Sequence, residues 1–120
     1  MSNKTTVDRY FDGFRRTDHQ QILSCLTDDV EWIIPGAFHT QGKGAFDKEI
    51  ENDGFVGHPA ITVTRMTEAD DVVVAEGSVR TQRKGGAVLT LAFCDIFEMQ
   101  NGKIRRLTSY LMDVGTPPSP

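Results

Sequence analysis

Apolar positions in this chain change period once, near Pro59. Before it, Val7, Tyr10, Phe11 and Phe14 recur at helical spacing and predict a helix over residues 5–16. Asp18 stands as an N-cap with Gln21 completing a capping box, and Ile22, Leu23 and Leu26 form the stripe of a second short helix ending near Thr27-Asp28-Asp29. Val30–Ile34 alternates as a short strand stopped by Pro35-Gly36. A third helix is predicted near 45–52, with Phe46 and Ile50 on one face. Beyond Pro59 the period is two. Runs at about 60–68, 72–83, 87–99 and 103–113 are separated by Ala69-Asp70-Asp71, Gly85-Gly86 and Asn101-Gly102, the last a strong hairpin signal. Helices followed by strands argue an α+β fold, an antiparallel meander with helices covering its concave face. The whole chain, 1–120, reads as one domain, with the proline-rich tail 115–120 expected to be disordered.

One residue breaks the pattern. Within Leu89–Met99 a single strand face carries Leu89, Leu91, Phe93, Asp95, Phe97 and Met99. A carboxyl among such neighbours must be paired with an arginine or amide, be kept neutral, or line a partly wet pocket. Asp95 is therefore a site candidate on physical grounds, with a plain structural role as the alternative.

Composition narrows the classes. A net charge of −4 and scattered basic doublets give no stripe that could follow a phosphate backbone, so nucleic acid is not an expected partner. No apolar run approaches the ~20 residues of a membrane span, and the start MSNKTTVDR does not read as a signal peptide. Two cysteines, Cys25 and Cys94, read as free thiols of a cytoplasmic protein. His19, His39 and His58 are isolated, so neither a metal nor another cofactor is expected.

The residues Tyr10-Phe11, Leu26–Trp32, Cys94–Met99 and Asn101-Gly102-Lys103-Ile104, in this order of elements, resemble the NTF2-like superfamily. The likeness is to its SnoaL-like and ketosteroid isomerase-like branch and covers about residues 5–114. It implies a cone: a curved, mostly antiparallel sheet wrapped around three N-terminal helices, with an apolar pocket at one end. It also implies a homodimer through the outer sheet face, where Ala92, Cys94, Ile96, Val73, Ala75 and Val79 are expected. Tyr10 and Asp95 match the tyrosine and protonated aspartate with which ketosteroid isomerases stabilise a dienolate. The proton-shuttling aspartate before a proline is replaced here by Ile34. Limonene epoxide hydrolase-like members place an acid where this chain has Ser109.

With Ile34 unable to carry a proton, two other residues are candidates for a base. Counting from Gly86 turns Glu76 and Arg80 toward the cone, the alternative being that this strand face meets solvent or a partner. His39, in the loop after Pro35-Gly36, has an ordinary pKa near ~6.5 that suits proton transfer. Phe14, Trp32, Ile34, Phe46, Phe55, Phe93, Phe97, Leu107 and Leu111 form the expected apolar wall, with Arg80 beside them. The expected function is binding of a small lipophilic, carbonyl-bearing molecule, with isomerase-, cyclase- or dehydratase-type proton transfer through Tyr10 and Asp95. A non-catalytic ligand-binding or dimerisation module is the alternative.

Overall fold

A computed structural model describes residues 2–115; of the expected disordered tail, 116–120 lie outside the described residues. The chain runs α1 (Asn3–Arg16), α2 (His19–Ser24), β1 (Leu26–Ile34), β2 (Phe38–Gln41), α3 (Lys43–Lys48), β3 (Phe55–Ala69), β4 (Val72–Arg83), β5 (Val88–Gln100) and β6 (Lys103–Asp113). Ser2 caps α1 by accepting the Thr5 amide, and Thr17 ends it in the left-handed region at φ 52°. Asp18 caps α2 as expected by accepting the Gln21 amide at 3.0 Å. The other half of the predicted box does not form, because the Asp18 N–H donates to the Gly13 carbonyl at 2.8 Å instead.

The six strands form one curved, unclosed sheet in the order β2-β1-β6-β5-β4-β3. The segment 55–113 is the expected antiparallel meander, and β1 joins β6 in parallel. Turns of two residues make the outer hairpins tight. Asp70 and Asp71 both have positive φ, as do Asn101 and Gly102, and that geometry matches the right-handed twist of the flanking strands.

The second and third helices end earlier than the sequence expectation, at Ser24 and Lys48, and three strands differ as well. β1 starts at Leu26 rather than Val30, because Leu26 pairs with Ile104 and the register then shifts before Glu31. β2 follows the Pro35-Gly36 turn, where a loop was expected, and places His39 opposite Ile33. β3 begins at Phe55, ahead of Pro59, because a register shift between Val56 and Ala60 lets the strand pass Gly57 and the proline without losing the sheet.

The core lies between α1 and the concave sheet face. Val7, Ile22, Leu26, Phe46, Phe97 and Leu107 are all sealed from solvent. This packing fixes the direction of β4. Val73 and Ala75 are fully buried and Val79 faces inward, so these three do not belong to the outer face where they were expected. The outer face of the central strands carries Val74, Ala92, Cys94 and Ile96, with Tyr110 and Met112 beside them on β6.

Candidate functional site

The α1 stripe, the inner faces of β5 and β6, and the ends of β1, β3 and β4 leave a cavity of about 140 Å³ at one end of the cone. Its walls are Tyr10, Phe11, Phe14, Trp32, Ile34, Ile61, Val79, Phe93, Asp95, Ser109 and Leu111. Tyr10 and Asp95 are the only titratable groups among them. Phe14, Ile61 and Val79 also line a second cavity of about 280 Å³, so the two adjoin at these three side chains. The second cavity has a more polar wall, with Thr17, Glu49, Glu51, Asn52 and Thr81 alongside Ile50, Phe55 and Pro59.

Asp95 is 7% exposed, and its Oδ1 is shielded from solvent with no hydrogen-bond partner. Burial pushes its carboxyl up to about 7, with the Ser109 hydroxyl opposing the shift. No basic side chain lines the cavity to reverse that sign. Of the three states open to a carboxyl on this face, pairing with an arginine is excluded, and Asp95 lines a pocket with its pKa raised by burial. Tyr10 is also buried, within 5.0–6.3 Å (ring to ring) of Phe11, Phe14, Phe46 and Phe97. Burial first, and the Asp95 charge second, hold its phenol well above the ordinary value, so Tyr10 stays a neutral donor. Trp32 donates its indole N–H to Ser109 Oγ at 3.1 Å, and Ser109 sits directly across the strand pair from Asp95.

Seven of the expected residues therefore meet: Tyr10, Asp95, Phe14, Trp32, Ile34, Phe93 and Leu111. The others do not. Glu76 lies on the outer face, held in a two-pronged ion pair by Arg65 at 2.7 and 2.8 Å, and cannot serve the cavity as a base. Arg80 shares that face and lines a separate pocket with Asp113. His39 is exposed on β2 and hydrogen-bonds Glu31 at 2.9 Å, because a residue opposite Ile33 points away from Trp32. Phe46, Phe97 and Leu107 are fully buried core: Phe46 stacks on Trp32 at 4.4 Å from beneath the cavity wall. Phe55 belongs to the second cavity, under the Arg83 guanidinium.

Four wall residues were not foreseen. Phe11 and Ser109 carried a usable signal, since Phe11 lies in the α1 stripe and Ser109 alternates with Leu107 and Leu111. Ile61 and Val79 carried none, because alternation divides a strand into two faces without saying which is inside.

A conical sheet closed by helices around an apolar pocket defines the NTF2-like, ketosteroid isomerase-like class of fold. The chain belongs to the SnoaL-like family, whose domain profile matches residues 7–107. Among solved structures, TerC co-crystallised with polyporic acid is 24% identical with a TM-score of 0.82, covering 89% of this chain and 88% of its own. An epoxide hydrolase of the LEH-like kind from M. tuberculosis is 14% identical with a TM-score of 0.80, covering 92% and 82%. A proposed ketosteroid isomerase from Kribbella flavida DSM 17836 is 18% identical with a TM-score of 0.75, covering 98% and 83%. All three show a shared fold. A search of curated proteins finds no match.

Proposed function

We propose that the cone binds a small lipophilic molecule carrying one acceptor oxygen, a carbonyl or its enolate, and that Tyr10 and Asp95 receive that oxygen. The observation that carries this reading is a carboxyl, Asp95, with no basic partner on the wall of an otherwise apolar cavity and with its buried Oδ1 left without a hydrogen bond. Buried polar groups are nearly always fully bonded, so a carboxyl left short of partners at a cavity wall suits a ligand that completes its bonding. About 140 Å³ holds a single ring, and a longer molecule would pass Phe14, Ile61 and Val79 into the second cavity. The structure of TerC with polyporic acid supports a small-molecule ligand.

A carboxyl near pH 7 is matched to proton transfer at neutral pH, and with Glu76 and His39 outside the cavity Asp95 is the group that would move the proton. Isomerase-, cyclase- or dehydratase-type chemistry beside a carbonyl fits this arrangement, Tyr10 donating to the developing oxyanion. A second reading has its own observation. Ile34 lines the cavity where related isomerases carry their base, which favours binding without turnover.

The test is a titration with an acidic phenol that is anionic throughout pH 5–9. Affinity should be level below pH 7 and fall by roughly tenfold per pH unit above it, as Asp95 ionises and repels the anion. Asp95→Asn should bind without that pH dependence, and Asp95→Leu should lose about tenfold or more in affinity. Parent-like binding by both variants would reduce Asp95 to a structural acid.

The outer face supports a homodimer as the working assembly. Tyr110 is 50% and Met112 69% exposed, next to Ala92, Cys94 and Ile96 on one continuous face. Cys25 and Cys94 are free thiols, and no helix among the described residues is long and apolar enough to cross a membrane. Sedimentation at micromolar concentration should give a dimer that Tyr110→Glu dissociates; a monomeric parent would remove the proposal.

A further inference from the structure

Trp32, Ser109 and Asp95 form a buried row across three strands. The indole N–H can only donate, and it donates to Ser109 Oγ at 3.1 Å. A serine hydroxyl has one proton. With Trp32 occupying a lone pair, that proton is left to face another acceptor. Ser109 is 3% exposed, and its register partner on the same inner face is Asp95, whose Oδ1 has no bond of its own. The free lone pairs of Asp95 Oδ1 thus lie across the strand pair from a hydroxyl with a proton to give.

We propose that Ser109 is the positioning residue of this site: Trp32 orients its hydroxyl, and the hydroxyl donates to Asp95 when the carboxyl ionises, setting the pH at which Asp95 holds its proton. The inference rests on the reading of Asp95 as the working acid, and it gives that reading its mechanism of adjustment. Burial alone favours the neutral acid, while a donor aimed at the carboxylate favours the ion. The balance leaves the group poised near neutrality rather than locked in the acid form.

Other influences around Asp95 are few. α1 presents Tyr10, the one other titratable group of the cavity. β4 presents Ala75 opposite Asp95, with Val73 and Gly77 on either side, and β6 flanks Ser109 with Leu107 and Leu111. The carboxyl of Cys94's neighbour therefore feels the Cys94 thiol only from the opposite sheet face, where that thiol is itself held neutral by a raised pKa. Ser109 is the polar side chain from the sheet that shares the cavity with Asp95.

The experiment is a carbon-13 NMR titration of the Asp95 carboxyl in the ligand-free full chain. Ser109→Ala should raise the Asp95 midpoint by about one pH unit, a tenfold change in its ionisation constant. Ser109→Thr, which keeps the hydroxyl, should stay within a few tenths of the parent. Ser109→Cys, a weak donor of similar size, should also move the midpoint upward and serves if the alanine variant does not fold. Trp32→Phe should raise it by less than Ser109→Ala, since the hydroxyl remains but is no longer oriented. An unchanged or lowered midpoint in Ser109→Ala or Ser109→Cys would overturn the proposal, as would equal shifts in the alanine and threonine variants. A fall in Trp32→Phe would overturn the orienting role of the indole. Because no ligand is present, a failure of phenolate binding would count against the functional reading and leave this result intact.

Discussion

Asp95 and Glu76 lie one register step apart on neighbouring strands: Asp95 pairs with Ala75, and Glu76 pairs with Cys94. The pleat sends them to opposite faces. Glu76 meets solvent and the Arg65 guanidinium, which holds it in an ion pair at 2.7 Å. Asp95 meets Tyr10, Phe93 and an apolar cavity with no basic group, and its ionisation is driven up to about 7. The same functional group thus becomes a surface ion-pair partner or a buried acid on a cavity wall according to a single step along a strand. Candidate chemistry in a sheet protein depends on which face is covered before it depends on which residue is present.

The largest effect should come from removing the charge that Asp95 would have to bear. Its folded pKa is raised, so its stabilising contribution is whole below the unfolded value of 3.8 and is lost as pH rises through about 7. By pH 8 the loss approaches about 4 kcal/mol, roughly three units at 1.36 kcal/mol each. Asp95→Asn should abolish that decline. Urea unfolding of parent and variant at pH 4.5, 6 and 8 would show it, and parallel curves would place Asp95 in a wetter setting than the structure gives.

The inner face should also reject added volume. A Cβ at Gly77 would lie 1.9 Å from the Thr62 carbonyl oxygen and 2.9 Å from the Phe93 ring. The first of those atoms is backbone and cannot step aside. Gly77→Ala should therefore cost about 3 kcal/mol or more in the same unfolding experiment. A parent-like midpoint would mean that β3 can shift freely against β4.

Glu76 supplies the small end of the scale. Its ion pair with Arg65 is largely exposed, with side-chain accessibilities of 39% and 68%. Glu76→Gln should change stability by less than about 1 kcal/mol and leave any phenolate titration unaltered. A changed titration would bring Glu76 back into the site.

By itself, the sequence determined the elements other than β2, and the singular residue. Helical spacing at Val7, Tyr10, Phe11 and Phe14 and period-two runs after Pro59 correspond to α1 and the meander. The Asp70-Asp71 and Asn101-Gly102 turns have the positive φ values their residue types tolerate. An acid among Leu91, Phe93, Phe97 and Met99 was legible as an anomaly because burial of a charge carries a cost wherever the strand is placed. What only the tertiary structure decided is direction. On β4 both alternating sets contain valines, Val72 and Val74 against Val73 and Val79, so hydrophobic contrast could not choose between them. The choice fell to the pairing of Asp95 with Ala75 and to α1 packing over the concave face, and it put Val79 inside and Glu76 and Arg80 outside. His39 left the site through local pairing instead: the β1–β2 hairpin sets it opposite Ile33 and turns its ring toward Glu31 rather than toward the cavity.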